Sequence, residues 1–144
     1  MLHNWHGTTQ LIQQALAEDE IASDQTSALL PDDLMSEAFM MPKSDGVLAG
    51  VEIALAVWRE VDPSLVTEAL VPDGTFVEKG MNVATIRGRM SSILRGERVA
   101  LNFIQRMSGI ATATNQLVKA TEDLPSTILD TRKTVPGWRL LDKY

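Results

Sequence analysis

The chain has 144 residues, no cysteine and a formal charge of −6 at pH 7. Its length suits one ordinary domain and falls well short of the ~250 residues of a complete (β/α)8 barrel. Without cysteine there is no disulfide scaffold, thiolate metal site or thiol nucleophile. With aromatics at only 5%, the net-negative chain lacks the stacking platform and cationic field of a nucleic-acid binder.

Read in chain order, Leu11, Ile12, Ala15 and Leu16 form one apolar stripe, which predicts a helix over 8–18 capped by Thr8 or Thr9. Glu18, Asp19 and Glu20 fall at its C-terminal end, against the helix dipole, and read as solvated surface. Residues 24–27 are a polar break. A strand is expected over 38–41, stopped by Pro42, and a short buried strand over 47–50. Residues 51–59 suit a second helix, ended around Val61, Asp62 and Pro63. Residues 65–87 read as β-structure with turns at Pro72, Asp73 and Gly74 and at Glu78, Lys79 and Gly80, a half-barrel or hammerhead pattern.

The clearest helix is expected over 91–107, capped by Ser91 or Ser92 and ended by Ser108 and Gly109, with a separate helix over 110–121. A short strand over 126–130 follows Pro125, and Pro136 and Gly137 open a last helix containing Trp138, Leu140 and Leu141. No run of about 18 apolar residues exists, so no membrane span is expected. The first ten residues, MLHNWHGTTQ, lack a basic stretch and an apolar core, so no signal peptide is read and the expected compartment is the cytoplasm. His3 and His6 read as part of a frayed tail.

Charge is polarised along the chain. No Lys or Arg precedes Lys43, whereas Arg87, Arg89, Arg95, Arg98, Arg106 and Lys119 face the single acid Glu97 between residues 87 and 119. Arg132, Lys133, Arg139 and Lys143 add a second basic group. Such a back half can hold an anion, although any one of these side chains can equally be a solvated helix face. Two segments stand out. Arg132 and Lys133 follow an expected strand at the end where α/β folds place their sites, and the hydroxyls of Thr131 and Thr134 can bind the same anion. An ordinary loop is the other reading. Arg98 and Asn102 lie one turn apart on an apolar helix, which fits either an interface or a local structural role. No dinucleotide, Walker, zincin or EF-hand motif is present.

The strings GERVALNFIQRMSGIATAT and ILDTRKTVPGWRLLDKY, which begin at Gly96 and Ile128, together resemble the quinolinate phosphoribosyltransferases. ALAEDEIASDQTS, GVLAG and DGTFVEKG are also similar to that family. The resemblance implies an α+β chain: an N-terminal α/β-hammerhead-like domain over 1–108, then over 109–144 the first strand and helix of an α/β barrel. It implies an enzyme of NAD synthesis, a pentosyltransferase that joins quinolinate to phosphoribosyl pyrophosphate and releases nicotinate mononucleotide, pyrophosphate and CO2. The family forms homodimers with shared sites, so Arg98 would bind a substrate carboxylate in the neighbouring subunit's site. Arg132 would be a quinolinate ligand and Lys133 the catalytic cation near the reacting centre or the pyrophosphate.

Mg²⁺ would accompany phosphoribosyl pyrophosphate, with ligands outside this chain. A His-Arg pair, a further Lys and the ribose- and metal-contacting acids are expected beyond Tyr144, so the 144 residues alone are expected to be inactive. The alternatives are a non-catalytic hammerhead module for dimerisation and a paralogous phosphoribosyltransferase with another anionic substrate.

Overall fold

The computed structural model describes residues 7–21 and 27–144. His3, His6 and residues 24–26 of the polar break lie outside the described residues. Helix α1 (Thr8–Glu18) is amphipathic as expected, with Ile12 and Leu16 buried, but it starts differently: Gly7 is the N-cap in the left-handed region and no side chain caps it. A 3-10 turn (Ser27–Leu29) leads to β1 (Met35–Met40) and β2 (Gly46–Val47). Helix α2 (Val51–Val61), β3 (Val66–Ala69), β4 (Phe76–Val77) and β5 (Ala84–Arg89) follow. Helix α3 (Met90–Ala120) and a one-turn α4 (Arg139–Asp142) complete the order.

Strand β5 lies between β1 and β3, antiparallel to both, with Ala38 opposite Ile86 and Ile86 opposite Thr67. A side-chain period of two therefore puts Ala38, Met40, Ala84, Ile86 and Ala69 on one face. Helices α2 and α3 close that face: Ile53, Leu55, Val57 and Trp58 meet Ile93, Val99, Phe103 and Met107 in one core. Strands β2 and β4 form a separate antiparallel pair. The strand expected over 47–50 is thus only its first residue preceded by Gly46.

The largest departure is α3, one helix of 31 residues where two were expected. Gly109 costs about 1 kcal/mol of helix propensity, but its neighbours are held from outside. Ser108 Oγ accepts the Ala49 N–H at 3.0 Å and donates to the Ala49 carbonyl at 3.1 Å. Thr112 Oγ1 accepts the Val47 N–H at 2.9 Å. Packing across the break outweighs one glycine. The start also differs: Arg89 is the N-cap and no side chain caps the helix, because Ser92 is turned to Asp62.

The strand expected over 126–130 is not formed. Those residues are exposed and pair with neither sheet; a strand gains its stability from a ladder partner. The described residues form no closed barrel. No helix among the described residues is long and apolar enough to cross a membrane.

Close approach of α2 to α3 depends on Gly96. A Cβ there would sit 2.5 Å from Cδ1 and 2.7 Å from Nε1 of Trp58, whose indole N–H donates to the Ile93 carbonyl at 2.8 Å. Trp58 is 3% exposed and has no room to move. Gly96→Ala should therefore destabilise the chain by about 1–3 kcal/mol, read as a lower urea midpoint at unchanged m, whereas Gly109→Ala, with nothing within 4 Å, should be neutral or stabilising.

Candidate functional site

The cations singled out in the sequence fall in two places. Arg98 projects from α3 with 74% of its side chain exposed and donates to Asp19 Oδ1 at 2.8 Å. Asp19, just past α1, is only 20% exposed. The acid that looked misplaced against the helix dipole is thus a partner for Arg98 and not simply solvated surface. Thr131, Arg132, Lys133 and Thr134 sit together on a loop after α3, with both cations exposed.

That loop has a defined shape. Thr131 Oγ1 accepts the Lys133 N–H at 3.1 Å. Arg139, from α4, donates Nε to Thr134 Oγ1 and Nη2 to the Arg132 carbonyl, both at 3.3 Å. Lys143 pairs with Asp130 at 2.6 Å. The two threonine hydroxyls accept bonds that shape the backbone, and each still has its own O–H to donate. Arg98 and the loop do not converge: α4 meets α3 at Arg106, about 12 Å of helix rise beyond Arg98 at 1.5 Å per residue.

The supports of the loop carry no local sequence signal. Arg106 donates Nε and Nη2 to the two oxygens of Asp142 at 2.8 and 3.0 Å. Its guanidinium lies 5.3 Å from the Trp138 ring centroid, and Trp138 stacks on Phe103 at 4.8 Å. No local pattern announces a pair so far apart in the chain. Tyr144 Oη donates to Asp73 Oδ2 at 3.0 Å, while Asp73 Oδ1 accepts the Val51 N–H that opens α2.

Among the described residues no group of three or more His, Asp or Glu could hold a metal ion.

The family model described as quinolinate phosphoribosyl transferase, N-terminal domain, matches residues 24–108, and the C-terminal domain of the same description matches residues 110–144. The chain belongs to the quinolinate phosphoribosyltransferase family. A relative named quinolinate phosphoribosyltransferase [decarboxylating] 1b, from Nicotiana tabacum, is 45% identical over 99% of this chain and 41% of its own length. The structure of the nicotinate-nucleotide pyrophosphorylase from Francisella tularensis superposes with a TM-score of 0.89 at 38% identity, over 95% of this chain and 49% of that one. NadC from Streptococcus pyogenes gives 0.92 at 33% identity, over 100% of this chain and 51% of that one. The chain thus spans about two fifths of that curated relative and about half of those solved chains.

The most perturbed carboxyl of the described residues belongs to the scaffold. Asp62 is 5% exposed. Hydrogen bonds from the Ser64 and Ser92 hydroxyls at 2.6 and 2.7 Å, joined by the Ser64 N–H and Arg89, hold it well below the usual carboxylate range in spite of burial. A depressed folded pKa gives stability that is complete above the unfolded value, about 4, and is lost as pH falls toward the folded value. Asp62→Asn should cost about 1–3 kcal/mol at pH 7 by leaving donors unpaired. Urea titrations of both proteins between pH 7 and pH 3 should show that gap narrowing on acidification; a gap constant with pH would assign the loss to packing.

Proposed function

We propose that this chain contributes to a quinolinate phosphoribosyltransferase, an enzyme that forms nicotinate mononucleotide, pyrophosphate and CO2 from quinolinate and phosphoribosyl pyrophosphate. The observation that carries the reading is the shaped, exposed loop 131–134, with Arg132 and Lys133 side by side, in a member of this family. Quinolinate is a dicarboxylate and its co-substrate carries several phosphate charges. Arg132 supplies a planar fork suited to a carboxylate, and Lys133 a compact charge suited to the reacting centre or the departing pyrophosphate. Fixed cations stabilise negative charge that develops on a leaving group most strongly where water is excluded.

The loop here is open to solvent on its cation side, so the walls that exclude water come from elsewhere. In the proposal they include a second copy of the chain. Arg98, mostly exposed and displaced along α3 from its own loop, reaches the neighbouring subunit's site and binds a substrate carboxylate there, which makes the assembly a homodimer with shared sites. Attack of the pyridine nitrogen on the ribose C1 expels pyrophosphate and places positive charge on the ring; that charge favours loss of the adjacent carboxylate as CO2, and the ring carbon left with the electron pair takes a proton from solvent.

The 144-residue chain alone should give no nicotinate mononucleotide from the two substrates. The complete enzyme should, and Arg98→Ala and Arg132→Ala should each abolish turnover. Mixing the two variants with subunit exchange should return about a quarter of wild-type activity, since half the dimers are mixed and each carries one intact site. No recovery despite proven exchange would refute the shared site. A complete protein that uses nicotinate but not quinolinate would refute the substrate.

A further inference from the structure

Two adjacent cations on an exposed loop repel each other and cost entropy to hold in place, so a loop that binds an anion well has to be fixed before the anion arrives. The support is found on the far side of the loop from solvent. Asp142 is 8% exposed at its side chain and takes the bidentate Arg106 fork. One of the same oxygens also accepts the Val135 N–H at 3.2 Å, directly after Thr134. Arg106 is held in turn over Trp138, which lies on Phe103, a residue 1% exposed in the core. From the same one-turn helix Arg139 grips Thr134 and the Arg132 carbonyl.

We propose that Arg106 and Asp142 form a positioning clamp that sets loop 131–134 from helix α3, so that Arg132 and Lys133 are aligned for their anionic ligand. The nature of that ligand rests on the function proposed above; the clamp itself does not. The Asp142 oxygens are taken by Arg106 and by the Val135 N–H, so both act on the ligand only through the loop and are positioning residues. The mutual hydrogen bonds raise the Arg106 pKa and lower that of Asp142, which keeps the clamp ionised through the neutral range. Its anchor is the middle of α3, so the loop takes its reference from the same helix that carries Arg98.

Two readouts test the clamp. In the 144-residue chain, brief trypsin digestion reports opening at Arg132 and Lys133, with Arg59 and Arg87 as controls for the fold. Arg106→Gln and Asp142→Asn should each speed cleavage at the loop about tenfold relative to the controls, as local opening does, and Asp142→Glu should restore it. In the complete enzyme the same two variants should raise the quinolinate KM about tenfold while kcat falls less than about threefold, the pattern of lost ground-state positioning, again with recovery in Asp142→Glu. Equal acceleration at all sites, or none at the loop, would overturn the clamp. So would selective loosening of the loop with an unchanged KM. If the complete enzyme did not use quinolinate at all, the proposed function would fall, and calorimetric titration with inorganic pyrophosphate would replace the KM: a tenfold weaker pyrophosphate affinity in the variants would support the clamp and an unchanged one would overturn it.

Discussion

The fold of the described residues depends on the contact between α2 and α3 at Trp58 and Gly96. A 31-residue helix spans about 46 Å at 1.5 Å per residue and cannot be steered by one end. Gly96 lets the indole lie against the helix backbone, and the indole N–H ties to the carbonyl one turn earlier. Further along, Gly50 lets Met107 approach, and Ser108 and Thr112 bond the backbone at Ala49 and Val47. The helix is thus pinned at both ends of α2 and at β2. Its direction is fixed through the point where Gly109 would otherwise let it break, and Arg98 and Arg106 are delivered at set positions along it.

The charge polarity of the chain is partly resolved within the fold. Acids from the first half meet cations from the second: Asp19 with Arg98, Glu37 with Arg87, Asp62 with Arg89. The pairs differ in worth. Those at the surface contribute little, about 0–1 kcal/mol each, whereas Asp62 is buried at the junction of α2, β5 and α3, and its carboxylate accepts five hydrogen bonds from Ser64, Arg89 and Ser92. Strand β5 delivers Arg89 and α3 delivers Ser92 to the same carboxylate, so the corner where the sheet becomes the long helix is fixed by charge as well as by packing.

Local periodicity made α1, α2 and the first part of α3 legible, because each buries a stripe that repeats at helical spacing. The turns at Gly74 and Gly80 were equally plain, each glycine with φ of 85°. What the sequence did not disclose are contacts between distant segments. Nothing near Ser108 says that its hydroxyl serves Ala49, so the helix was expected to stop there. Ser126 to Asp130 carry the composition of a strand, but a strand is a relation between two segments and none of the described residues pairs with this one. The cation loop was visible from Arg132 and Lys133 themselves. Its supports, Arg106 and Asp142, are separated by 36 residues and share no local pattern, and Asp19 was seen only as an acid out of place.

Magnitudes decide whether such a loop can be held ready without its ligand. Two unit charges about 4 Å apart repel by only about 1 kcal/mol in bulk water, so the mutual repulsion of Arg132 and Lys133 is small while both are exposed to solvent. Against it stand the Thr131, Arg139 and Asp142 bonds to the loop backbone and side chains, each worth about 0.5–1.5 kcal/mol net. The sum exceeds the repulsion, so repulsion between the two cations does not undo the shape that these bonds give the loop. The balance changes when the cations are drawn out of water, where the same repulsion grows severalfold as the local dielectric falls. In the proposed site the anion would supply that difference, which would favour multiply charged ligands over singly charged ones.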